Sequence, residues 1–216
     1  DRPLPSGRIA EGHAGLALAA LLVAGLVLAL AAGPQTFVTA LVLVCLVVAY
    51  DTVLKHSARR GPICMGLCRG FSFLLGVSLV GWPARILLPG VALVGFVAAI
   101  TFVARSETRF HRFGRAAYAP LLWSCAFLLF AWLTAWPHVA VSGFSLSVVV
   151  GIAAVAMIYW TCTDLGGGRP RSPATIQAGI GRLIRSLVVL QTAVVCLGIG
   201  RGSDMPVVTA VLLVLF

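Results

Sequence analysis

The sequence predicts an all-α polytopic membrane bundle, and three observations carry that prediction. The chain of 216 residues is 60% hydrophobic and 10% charged, against roughly 25% charged residues in a soluble domain, and its mean hydropathy is +1.05. Its apolar residues fall into seven long continuous runs broken by Gly, Pro or charge. Its basic residues gather in alternate breaks. The runs lack the period-two alternation of barrel strands, so helices are left to satisfy the backbone inside hydrocarbon.

About 20 helical residues cross a hydrocarbon core of roughly 30 Å. Residues 15–32, 37–54, 65–82, 86–103, 116–136, 139–162 and 175–199 come close to or exceed that length, and an eighth run, 207–216, stops short of it. The breaks at 33–35, 81–85, 136–138 and 200–205 carry Gly or Pro and read as tight turns. Those at 55–63, 104–115 and 163–171 are longer and charged. The chain starts on a polar loop without Met and ends in the short run, which reads as a fragment of a single domain, 1–216, incomplete at both ends.

Assigning alternate breaks to opposite sides sorts the charges. Arg2, Arg8, Lys55, Arg59, Arg60, Arg69, Arg105, Arg109, Arg112, Arg115, Arg169, Arg171, Arg182 and Arg185 fall on one side; Arg85 and Arg201 fall on the other. This positive-inside pattern predicts a cytoplasmic membrane protein with its N-terminus and basic face in the cytoplasm. It accounts for the net charge of +10 through the lipid bilayer and excludes a nucleic-acid partner. Asp1, Glu11, Asp51, Glu107 and Asp164 share the basic side. The topology rule does not require those acids, so polar chemistry is expected at that face.

The six cysteines lie in or beside the runs with no zinc spacing, and read as packing residues. Gly66 and Gly70 are spaced for close helix approach, and Gln191 reads as interhelical glue. Gly166–Gly168 reads as a turn, because Arg-Pro-Arg separates it from the next helix start.

The densest charge cluster is 50–70. Asp51 and Lys55 are four residues apart, which fits a surface ion pair. It equally fits an anion site in which Lys55 and Arg69 hold a diphosphate. The segment 105–112 offers the same choice. If the helix continues through it, Arg105, Arg109 and Arg112 share one face, while Glu107 and His111 share another. It is then either a topology signal or an anion site in which Glu107 holds a divalent cation or takes a proton.

Two segments carry a resemblance. Arg2-Pro3-Leu4-Pro5-Ser6-Gly7-Arg8 resembles the RP-[IL]-PSGR segment of the UbiA superfamily of intramembrane prenyltransferases. Tyr50, Lys55, Gly61-Pro62 and Met65-Gly66 resemble that family's Y…K…P…G connection, in wording closest to its EboC-like branch. The resemblance implies a helical bundle of nine spans, seven of them in this chain, around a cavity open to lipid. It implies transfer of an isoprenoid chain from a prenyl diphosphate to a lipophilic or aromatic acceptor, with Mg²⁺ on the diphosphate. Carried over residue by residue, it points to Arg8, Tyr50, Lys55, Arg69 and Arg109 for the diphosphate. Asp51, Lys55 and Glu107 take the catalytic roles, and Glu107 is the metal ligand.

The chain departs from the family where a second Asp-rich motif is expected, since Glu107 is the one acid within 104–112. That departure keeps a rival open: a non-catalytic subunit or carrier for a hydrophobic metabolite. A second rival, a CDP-alcohol phosphotransferase, would need a DG-xx-AR…G-xxx-D-xxx-D pattern, and nothing here resembles it.

Overall fold

A computed structural model of the chain describes residues 10–78, 87–108, 110–135, 141–168 and 170–197. Seven helices in it are long and apolar enough to cross a membrane. They are α1 (Glu11–Ala32), α2 (Pro34–Thr52), α3 (Arg60–Ser78), α4 (Leu87–Ala104), α5 (Ala119–Ala135), α6 (Val141–Gly166) and α7 (Pro173–Cys196). Short 3₁₀ turns at Leu54–His56 and Gly114–Tyr118 follow α2 and precede α5. The only β-structure among the described residues is one isolated bridge, His111 to Arg171. The chain is an all-α, multi-pass membrane protein. The turns expected at 81–85, 136–138 and 200–205, and the run 207–216, lie wholly or mostly outside the described residues.

Local chemistry explains where the helices begin and end. α1 and α2 are joined by Gly33 alone, at φ 132°, with Pro34 opening α2. Glycine tolerates that φ, and proline suits a helix start because it has no N–H to leave unpaired. α3 begins five residues before the apolar run at 65. The Ser57 hydroxyl accepts from the Arg60 backbone N–H at 3.3 Å, and Pro62 sits in the first turn, where its missing N–H costs nothing. α7 starts at Pro173 because the Ser172 side chain accepts from the Thr175 N–H.

The core lies among α4 to α7. Phe96 and Leu93 of α4, Phe127 of α5, Ile158 and Leu165 of α6, and Leu183 and Leu190 of α7 are all but inaccessible. α3 docks on α4 through the two glycines picked out by their spacing. A Cβ on Gly66 would collide with the Val94 carbonyl oxygen, and one on Gly70 with the Val94 side chain. Such contact lets two backbones approach and gain dispersion where the hydrophobic effect gives no drive. α1 is the loose edge: 6% of its span is buried, against 44% for α4, and its extensive neighbour is α2.

Gln191 does not act as interhelical glue. It is exposed and makes no hydrogen bond among the described residues. Its neighbours Leu190 and Ala193 occupy the buried face of α7, and one residue turns about 100° around a helix.

Candidate functional site

The basic end of the bundle is built around the connection from α2 to α3. α2 stops at Thr52, the 3₁₀ turn carries Lys55, and the chain re-enters the bundle at Arg60. Three carbonyls of this connection converge on one side chain just past the end of α4. Arg105 donates to the Ser57 oxygen at 2.7 Å, the His56 oxygen at 3.3 Å and the Lys55 oxygen at 3.4 Å. A guanidinium presents five N–H groups in a rigid fork, which suits it to gather carbonyls. Gly61 makes the room: a Cβ there would meet the Leu54 oxygen at 2.9 Å and the Arg105 guanidinium at 3.2 Å.

This clamp holds the Lys55 main chain and leaves its side chain free. Lys55, Asp51 and Glu107 are exposed, and Tyr50 is half-buried near the end of α2. Both ion pairs among the described residues involve Asp164, so none joins Asp51 to Lys55. The i, i+4 pairing fails because the α-helix ends between the two residues. The Arg105–Arg109–Arg112 helical face also fails to form. α4 ends at Ala104 and 105–108 are turns. His111 is drawn into main-chain hydrogen bonds with Arg171, at 3.4 and 3.0 Å. Arg8 and Arg109 lie outside the described residues.

Arg69 sits elsewhere than the other site candidates. It is the tenth residue of the nineteen in α3, about 13 Å into the bundle at 1.5 Å per residue. The flanking Gly66 and Gly70 touch Val94, near the midpoint of α4. Met65 and Phe73, one turn on either side, pack against the core, while Arg69 itself is exposed and has no partner among the described residues. The Lys55 main chain lies beside Gly61, eight residues or about 12 Å nearer the basic end.

The described residues contain no group of three or more His, Cys, Asp or Glu able to hold a metal ion. Glu107, the metal ligand that the resemblance implies, is exposed in the turn after α4. A groove of about 440 Å³ lies between α5 and α6, lined by Leu128, Trp132, Gly151, Val155, Tyr159 and Trp160. Its wall is hydrocarbon and aromatic, and it is formed by helices that carry neither Lys55 nor Arg69.

One cluster escaped the sequence reading. Asp164, near the end of α6, meets Arg182 of α7 at 2.6 Å and Arg171 at 3.9 Å. The available signal was an acid at the end of one span, an arginine just before the next and another at its tenth residue.

Seven helices long and apolar enough to cross a membrane define a multi-pass membrane protein. The UbiA prenyltransferase family profile matches residues 1–175. The chain belongs to that family, whose members use prenyl diphosphates. No curated protein and no solved structure matches the chain.

Proposed function

We propose that the chain transfers an isoprenoid chain from a prenyl diphosphate to a lipophilic or aromatic acceptor, at the cytoplasmic face of the cell membrane. The allylic C–O bond breaks and the diphosphate leaves with the electron pair. The acceptor nucleophile then bonds to the allylic carbon and gives up a proton. Lys55 is the principal diphosphate group, with Tyr50 from this end of the bundle, Arg69 from deeper in α3, and Arg8 and Arg109 as further cations. Asp51 and Glu107 are the carboxylates available for proton transfer. The wording of 50–70 supports placement in the EboC-like branch.

The observation that carries this reading is the free, exposed Lys55 on a connection clamped by Arg105. A cation with no internal partner, on a rigid main chain, is pre-organised to neutralise a departing diphosphate. The test is release of diphosphate from a labelled prenyl diphosphate by the protein in lipid. Lys55→Ala should reduce it about a hundredfold, equivalent to about 2.7 kcal/mol, with unaltered thermal unfolding and partial rescue by Lys55→Arg. Full transfer by a folded Lys55→Ala protein would remove the assignment.

A further inference from the structure

The cluster at the α6–α7 connection plays no part in the transfer reading. Its elements are α6, α7 and the α4–α5 connection, and none of them carries Lys55 or Arg69. Arg171 and Arg182 share one carboxylate, Asp164. Each guanidinium has five N–H groups, yet the side-chain hydrogen bonds found here amount to one, from Arg182 Nη2 to Asp164 Oδ2. The Nε atoms of both arginines are out of contact with solvent and have no partner.

A third arginine closes on the same place. Arg112 Nη2 lies 3.9 Å from the point a Cβ on Gly168 would occupy, and Arg171 Nη2 lies 2.7 Å from the equivalent point at Gly167. Gly168 takes φ 73°, a left-handed conformation open to glycine. Among the described residues, two arginines therefore meet Asp164 and a third lies over Gly168, on a floor without side chains. The excess of positive charge calls for a further anion, and arginine forks match the oxygens of a phosphate.

The position of the cluster says where that phosphate comes from. Trp160 precedes Asp164 by one helical turn, is 70% exposed and meets Tyr159 edge-on at 6.2 Å. Exposed Trp and Tyr at the end of a span mark the boundary between hydrocarbon and headgroups. On α7, Ile184 is 54% exposed two residues beyond Arg182. Asp164 lies two residues before the end of α6, and Arg182, the tenth residue of α7, reaches it beside a surface made for hydrocarbon. We infer that Asp164, Arg171, Arg182 and Arg112 form a headgroup site for an anionic phospholipid of the adjoining leaflet. Basic pockets between spans at one membrane face recognise lipids in this way.

The test compares the full chain in nanodiscs of phosphatidylglycerol and of phosphatidylcholine, by thermal unfolding and by native mass spectrometry of retained lipid. The wild-type protein should unfold at higher temperature in phosphatidylglycerol and carry that lipid out of mixed membranes. Arg171→Gln with Arg182→Gln should weaken retention about fivefold for each guanidinium removed. Asp164→Asn removes the competing carboxylate and should strengthen retention of the anionic lipid. A purely internal ion pair predicts the opposite for Asp164→Asn: lower stability in both lipids and no change in retention. That result, or equal retention by wild-type and doubly substituted protein, overturns the proposal. So does equal stabilisation in phosphatidylcholine by millimolar inorganic phosphate, which would make this a site for a free anion.

Discussion

The two clusters at the basic end handle charge in opposite ways. At the α2–α3 connection, Arg105 spends its donors on three carbonyls, and the neighbouring charges of Asp51, Lys55 and Glu107 stay unpaired and exposed. At the α6–α7 connection, the one acid is shared by two arginines whose Nε atoms are shut off from solvent. The first arrangement fixes a backbone and leaves a cation available. The second ties side chains to one another and leaves an excess of charge. Charge count alone does not separate them; what each guanidinium touches does.

Four tests break or sharpen that contrast. The largest effect is expected for Gly66→Leu, which forces side-chain atoms into the Val94 carbonyl and separates α3, the helix behind Lys55, from α4. A loss of about 3 kcal/mol is expected from overpacking against backbone, read as thermal unfolding of purified protein. Gly25→Leu, where nothing lies within 4 Å, should unfold with the wild type. Next comes Arg105→Ala, which releases three carbonyls. It should cost about 1–2 kcal/mol, an exposed charged hydrogen bond lying at the lower end of its range. Hydrogen exchange of the amides at 54–61 should speed up, and transfer should fall because Lys55 loses its support. Unchanged exchange there would dismiss the clamp.

Arg182→Ala follows. Both partners of its ion pair are more than a third exposed, so solvent screening limits the loss to about 1 kcal/mol or less. A double-mutant cycle with Asp164→Ala in neutral detergent isolates that coupling, and a larger value would make the two clusters energetically alike. The smallest effect belongs to Asp51→Asn, expected within about 0.5 kcal/mol of wild type because the side chain has no partner. A larger loss would reveal a pairing with Lys55 and erase the distinction between the clusters.

Much of the architecture was legible in the sequence, because the bilayer is a simple solvent. Seven continuous apolar runs predicted seven helices, since hydrocarbon offers backbone groups no partner outside the chain. The Gly66–Gly70 spacing predicted close packing, and the cysteines remained unpaired thiols. Helix starts were less legible. Ser57 and Pro62 extend α3 backward into residues that hydropathy alone assigns to a loop. The candidate site was legible as residues and not as an arrangement. Tyr50, Asp51, Lys55, Arg69 and Glu107 could be named in sequence. That Lys55 has no ion pair, and that Arg69 lies about 12 Å deeper, could not.

The sequence by itself determined the class, the spans and the family, because composition and continuous apolar length answer directly to the membrane. Tertiary structure alone decided the partners of the charges. Arg105 reaches a connection 48 residues away along the chain, and Asp164 reaches Arg182 across 18. A guanidinium's role is set by which acceptors the packed helices bring within about 3 Å of it, and local periodicity carries no record of that distance.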